Sequence, residues 1–228
     1  NEKIKRILAD IHKGWPIQYV LGTALFCDLR IKVDERVLIP RPETEEMIEH
    51  LKSALRSPVG SIMDLGTGSG CIALALKHFF PQAEVWGADI SEEALKLAEE
   101  NGKENTLQVN WIKMDLLDHG RRNELPVFDL VVSNPPYVMQ KERQGMSPQV
   151  KDFEPSSALF VEDEDPLVFY RAIAAFCRLS LGKSGEIWVE INEQLGDETA
   201  RLFENEGFSR TRILKDIHNK DRYVNARR

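Results

Sequence analysis

Apolar residues recur along the chain with two spacings, and each spacing predicts a different element. In residues 2–13, Ile4, Ile7, Leu8 and Ile11 stand three and four apart, which predicts a short amphipathic helix that GWPIQYVLG then breaks. Leu29, Ile31 and Val33 alternate instead, so TALFCDLRIKVDERVLIP reads as two short strands around Cys27-Asp28. The helix EEMIEHLKSAL follows, with Glu43 or Thr44 expected to open it. From Ser61 onwards the two spacings take turns. SIMDLG, EVWGADI, NWIKMD, FDLVVSN and EIWVEI read as buried strands, with CIALALKHFF, SEEALKLAEENGKEN and DPLVFYRAIAAFCRLSL as helices among them. A last helix around DETARLFENEG leads to two further strands, SRTRILKD and RYVNARR. This alternation predicts an α/β fold, a largely parallel sheet covered by helices on both faces. The stretch Ser57-Pro58-Val59-Gly60 is a natural joint, and it divides residues 1–57 from a core domain over 58–228.

Composition narrows the class. Of 228 residues, 42% are hydrophobic and 29% charged, which suits a packed core and not long disorder. Thirty basic residues against 37 acidic ones give a net charge of -7, so binding to nucleic acid through its backbone alone is not expected. Cys27, Cys71 and Cys177 form no CxxC pair, and Cys71 and Cys177 sit among apolar neighbours as small core residues would. No metal site or disulfide framework is expected, and a reducing, cytoplasmic setting follows. No apolar run approaches the ~20 residues that span a bilayer, so no membrane partner is expected. The sequence shows no signal peptide and opens on Asn1 instead of Met, so either a trimmed chain with residues upstream or a natural short form is expected.

Two stretches carry chemistry. DLGTGSG, from Asp64 to Gly70, joins a strand to a helix, and its glycines let a ligand approach bare backbone at a helix start. Its spacing is GxGxG and not the GxGxxG of a dinucleotide site, and no Lys-Ser/Thr ending marks a phosphate loop. Asp89 ends the next strand 19 residues after Gly70, where a carboxylate can accept from ribose hydroxyls or cap the following helix beside Ser91. Asp115 ends the third strand, so three strand ends outline a nucleoside-shaped crevice. The second stretch is VVSNPPY, where an apolar strand stops at Asn134, Pro135, Pro136 and Tyr137. An Asn side-chain oxygen and a proline carbonyl can each accept one hydrogen of an NH2 group, and a Tyr face can cover a planar amide.

DLGTGSG with Asp89 and Asp115 resembles the S-adenosylmethionine-binding half of a seven-stranded, Rossmann-like class I methyltransferase. With SNPPY, PIQYVLG (16–22), LIPRPETE (38–45), EPSSAL (154–159) and DIHNKDRYV (216–224), the chain is similar to the release factor glutamine methyltransferases from about Trp15 to Arg228. The resemblance implies that sheet, preceded by a short N-terminal helix and β-hairpin. It implies S-adenosyl-L-methionine as cofactor, held by Gly66, Thr67, Gly68, Ser69, Gly70, Asp89, Asp115, Leu116, Asn134 and Thr44. Asn134, Pro135, Pro136 and Tyr137 become the catalytic turn, and the partner is the GGQ domain of a peptide chain release factor. A monomer with no direct nucleic-acid partner is expected. Glutamine methylation of a ribosomal protein and N6-adenine methylation of nucleic acid are the alternatives.

The surrounding residues carry further expectations. Arg41 serves either substrate or an ion pair. Glu154 is a solvated acid or part of a substrate loop, and Glu190 and Glu193 are expected as exposed acids at a helix start. The polar stretch 140–153 is expected to be a lid or recognition loop with little order of its own. Family members carry a larger helical N-terminal domain, whereas about 14 residues precede PIQYVLG here. That departure bears on substrate affinity and leaves the catalytic turn as expected.

Overall fold

Alternate residues of each central strand face opposite layers, and this splits the core in two. In a computed structural model describing residues 2–55, 58–118 and 125–228, Ile62, Leu130 and Trp188 lie in one apolar cluster. Their chain neighbours Met63, Val131 and Ile187 lie in the other. The strands are β1 (Thr23–Phe26), β2 (Leu29–Lys32), β3 (Ser61–Leu65), β4 (Glu84–Asp89), β5 (Asn110–Lys113) and β6 (Phe128–Ser133). They continue with β7 (Val138–Met139), β8 (Phe160–Val161), β9 (Leu181–Glu190), β10 (Ser209–Lys215) and β11 (Asp221–Arg227). The helices are α1 (Glu2–His12), α2 (Ile17–Leu21), α3 (Pro42–Ala54), α4 (Cys71–Phe79), α5 (Glu92–Glu104), α6 (Pro148–Phe153), α7 (Val168–Ser180) and α8 (Gly196–Asn205).

Seven strands form the main sheet in the order β10-β11-β9-β6-β3-β4-β5. Neighbours are parallel from β9 to β5, and β11 is antiparallel to both β9 and β10. Helices α3, α4 and α5 cover one face, and α7 and α8 cover the other. The expected α/β architecture is therefore present. The chain steps outward from β3 through β4 to β5, then returns to place β6 on the other side of β3. That reversal opens a crevice beyond the carboxyl ends of these strands, where ligands of doubly wound sheets bind.

The segment before β3 joins the same core. Cys27 and Asp28 take φ of 49° and 63°, the left-handed pair that a two-residue hairpin between β1 and β2 demands. Asn101 on α5 then pins the hairpin: its Oδ1 accepts from Lys32 N at 2.7 Å, and its Nδ2 donates to Lys32 O at 3.1 Å. Met47, Ile48 and Leu51 of α3 are fully buried on this face, each worth about 1.5–3 kcal/mol.

Three local expectations are corrected. Helix α3 starts at Pro42 with Arg41 as cap, because proline presets the helical φ and has no N–H to satisfy; Thr44 lies inside the first turn. PIQYVLG contains α2, capped at Gly22 in the left-handed region, where only a break was expected. The polar stretch 140–153 is ordered as a 3-10 helix, Gln140–Gly145, and α6, without an apolar repeat to signal either. Glu142 caps the former by accepting from Met139 N at 2.9 Å, and Ser147 caps the latter ahead of Pro148. Phe153 closes the stretch against Trp15 with ring centroids 4.7 Å apart. Ser57 of the expected joint lies outside the described residues. Among the described residues, no helix is long and apolar enough to cross a membrane.

Candidate active site

The glycine loop leaves β3 at Leu65 and enters α4 at Cys71. Gly66, Gly68 and Gly70 take φ of 74°, 53° and 81°, a region that side chains disfavour, so the backbone turns sharply. Gly66 N and Thr67 N both donate to Ala88 O at 2.9 Å, which ties the loop to the end of β4. Asp89 completes the tie: its Oδ2 accepts from Gly68 N at 2.8 Å and its Oδ1 from Ser91 N at 2.9 Å. Burial raises the Asp89 carboxyl above its ordinary range, and the backbone donors pull against that rise.

Asp64, one residue before the strand's end, is fully buried beneath the loop. Its Oδ2 accepts from Thr67 Oγ1 at 2.5 Å and from Ala73 N at 3.1 Å. Its Oδ1 is buried without a hydrogen-bond partner among the described residues. Burial pushes this carboxyl up to about 7, with the Thr67 and Ala73 bonds opposing. The Trp111 indole wedges in below: a Cβ on Gly87 would stand 2.4 Å from it, so glycine is required at that position.

The loop forms one wall of a cleft of about 350 Å³. Its floor holds the ends of four strands, with Leu65, Asp89, Asp115 and Asn134 among the lining residues. Leu116 and Ile90 add apolar surface, and Arg36 to Arg41 contribute a strap from the chain before α3. That strap is anchored by Glu154, whose Oε2 accepts from Ile39 N at 3.0 Å and whose Oε1 accepts from Arg41 Nη2 at 2.6 Å. Tyr19 adds an O–H bond to Val37 O at 2.5 Å.

At the end of β6 the chain turns through Asn134, Pro135, Pro136 and Tyr137. Asn134 Nδ2 donates to Thr44 Oγ1 at 3.0 Å, and Thr44 Oγ1 donates to Glu190 Oε2 at 2.6 Å. The Tyr137 hydroxyl donates to Glu190 Oε1 at 2.8 Å. Burial raises the Glu190 carboxyl, and it lifts the Tyr137 phenol well above its ordinary value with the help of the Glu190 charge. Beyond the turn, Asn192 Nδ2 donates to Tyr137 O at 3.3 Å and to Glu142 Oε2 at 2.8 Å.

The structure brings together most of the residues picked out in the sequence. Gly66 to Ser69, Thr44, Asp89, Asp115, Leu116 and Asn134 to Pro136 line the cleft, and Gly70 caps α4 directly behind it. Tyr137 instead lines an adjoining pocket with Asn192 and Arg222. Glu193 is exposed, as expected, and pairs with Lys220 at 2.7 Å.

Two acids are corrected. Glu190 is 1% exposed at the tip of β9, where the Thr44 and Tyr137 hydroxyls reach its carboxylate; it is not a surface acid at a helix start. Glu154 is likewise buried, because it holds the strap, and Arg41 serves that ion pair. Cys71 is half-buried: it packs against the core from one side and lines the cleft on the other. The strap falls on LIPRPETE, the segment that the resemblance places over the cofactor. The roles of Asp64 and Trp111 went unnoticed: Asp64 opens the very motif that marks the loop, whereas nothing local in the chain signals Trp111.

The cleft suits a zwitterionic nucleoside: bare backbone at a helix start, carboxylates at successive strand ends, and an unpaired carboxylate oxygen under the loop. Comparison with known proteins agrees. Residues 42–150 match the family model described as Methyltransferase small domain. Over 224 residues the chain is 41% identical to the release factor glutamine methyltransferase of Flavobacterium psychrophilum, covering 96% of this chain and 77% of that one. The protein of the same name from Bacteroides thetaiotaomicron is 41% identical over 228 residues, covering 100% and 81%. The chain belongs to the release factor glutamine methyltransferase family. It is a methyltransferase dependent on S-adenosyl-L-methionine.

Solved structures show the same fold at low identity. A methyltransferase from Pyrococcus furiosus is 19% identical with a TM-score of 0.66, covering 99% of this chain and 98% of that one. TrmN from Thermus thermophilus is 20% identical with a TM-score of 0.57, covering 81% and 48%.

Proposed function

We propose that the chain methylates the side-chain amide nitrogen, N5, of the glutamine in the GGQ motif of peptide chain release factors. The observation that carries this reading is the NPPY turn: Asn134 Oδ1 and Pro135 O have no hydrogen-bond partner among the described residues, while Asn134 Nδ2 is engaged by Thr44. Two acceptors at adjacent positions suit the two hydrogens of a primary amide. The names of the relatives point to the same substrate.

An amide nitrogen is a weak nucleophile because its lone pair is shared with the carbonyl. S-adenosyl-L-methionine supplies a methyl group already activated by its sulfonium. The chain therefore aligns the nitrogen. Asn134 and Pro135 take its two hydrogens and favour positive charge building there, and the prolines keep the turn rigid. Gly66 to Gly70, Asp89, Asp115 and Leu116 hold the cofactor, with Asp64 beneath them. The protein substrate approaches from the strap and the 140–153 side. A cytoplasmic monomer fits this role.

Transfer of labelled methyl from S-adenosyl-L-methionine decides the matter, with a purified release factor, its GGQ-to-GGA version and an adenine-containing duplex as acceptors. Label on the GGQ protein alone is the expected result. Label on the duplex, or on neither, overturns the reading, and a purified ribosomal protein is then the next acceptor to try.

A further inference from the structure

We infer that Thr44 and Glu190 are positioning residues that decide which end of the Asn134 amide faces the substrate. The inference rests on the reading of Asn134 as an acceptor for an amide NH2. The two ends of an Asn side chain, C=O and NH2, are almost the same size, so the walls of a cleft do not distinguish them. A flipped Asn134 would present two donors to a substrate group that itself donates, and the alignment would be lost.

Hydrogen-bond direction sets the choice. The Glu190 carboxylate accepts and does not donate, and each oxygen takes one hydroxyl: Tyr137 on Oε1 at 2.8 Å and Thr44 on Oε2 at 2.6 Å. Thr44 has a single proton, and Glu190 has taken it. Toward Asn134, 3.0 Å away, Thr44 Oγ1 therefore only accepts. Nδ2 must face Thr44, and Oδ1 is left for the cleft.

The arrangement is rigid because Glu190 is 1% exposed and Thr44 2%. The carboxylate's charge is partly offset by Arg222, which the adjacent strand supplies. Tyr223 lies opposite Glu190 in the β9–β11 register and bonds Glu43 O at 2.7 Å, so two neighbouring strand tips grip the first turn of α3 and set the height of Thr44. Thr44 also lines the cleft, and by itself that placement would suit a cofactor contact. The one-way bonds to Asn134 and Glu190 assign it to the turn instead.

Thr44→Val keeps the side chain's shape and removes both bonds. In steady-state assays on a GGQ release factor, we expect kcat to fall by ~10–100-fold, less than the roughly 10²–10³-fold for deleting a preorganised group outright, because Asn134 itself remains. KM for the release factor and Kd for S-adenosyl-L-methionine by calorimetry should move by less than about 3-fold, since neither ligand loses a contact. Thr44→Ser restores the hydroxyl and should recover most of kcat. Glu190→Gln should lower kcat as well, because an NH2 at that position reverses the order of donors.

A T44V kcat within about 3-fold of the parent overturns the inference. So does a T44V defect confined to cofactor Kd, which would make Thr44 a cofactor contact. A loss that Thr44→Ser does not recover, accompanied by a lowered melting temperature, would reduce Thr44 to a structural role. If the parent itself leaves the GGQ protein unlabelled, the proposed function fails first and the inference falls with it.

Discussion

The glycine loop and the NPPY turn sit at the ends of adjacent strands, β3 and β6, yet they are held in different ways. The loop is tied by what lies near it in the chain: Asp64 to Thr67, and Gly68 to Asp89 across 21 residues. The turn is tied by partners far away. Asn134 reaches back 90 residues to Thr44, and Thr44 reaches forward 146 to Glu190. A loop fixed by its own backbone is rigid wherever the strand-loop-helix unit folds. A turn fixed by remote side chains is correct only when the whole domain is assembled.

Separate failure is the consequence that tests this contrast. Asn134→Ala should raise the transfer barrier by about 2–4 kcal/mol and reduce kcat far more than it changes cofactor affinity. Parallel loss of both in rate and binding assays would merge the two regions into one.

The loop is broken most directly through its buried acid. Asp64 stands near 3.8 in an unfolded chain and at about 7 when folded. Between those values the folded state keeps a proton that the unfolded state has released. Asp64 therefore favours folding below about pH 4, and that contribution is lost as pH rises toward 7. Without cofactor, the unfolding free energy of the parent should fall relative to Asp64→Asn by on the order of 2–4 kcal/mol across that window. Urea melts at several pH values check this, and equal slopes would refute it.

Asp89→Ala should weaken S-adenosyl-L-methionine binding by about 1.5–3 kcal/mol while sparing the turn, because Gly68 N and Ser91 N lose a charged acceptor. Unchanged binding by calorimetry would sink the pocket assignment. The smallest expected effect belongs to the strap. Glu154→Gln keeps an acceptor for Ile39 N but loses the charge opposite Arg41, and unfolding should be easier by about 1 kcal/mol. A melting temperature equal to the parent's would mean that the strap is held by the Tyr19 bond and packing alone.

The same contrast explains what was legible in the sequence. Strand and helix spacings are local, so the sheet, its helices and the hairpin at Cys27-Asp28 could be read residue by residue. The glycine loop could be read for the same reason. Glu190 could not, since an acid after an apolar strand looks alike whether it is solvated or, as here, takes bonds from residues 53 and 146 positions away. Glu154 was obscure for the same cause, with Ile39 115 residues off. Stretch 140–153 lacked an apolar repeat because its order comes from caps, Glu142 and Ser147, and from one ring contact at Phe153.

The placement of Glu190 also sets a clock on biosynthesis. A ribosome delivers Thr44, then Asn134 and Tyr137, and only later the tip of β9. At typical elongation speeds the 53 residues between Tyr137 and Glu190 take roughly 3–10 s, during which the two hydroxyls have no carboxylate to answer to. A growing chain can thus form its glycine loop while the turn is still unset, and the Thr44 and Tyr137 hydroxyls meet their carboxylate only once β9 has emerged.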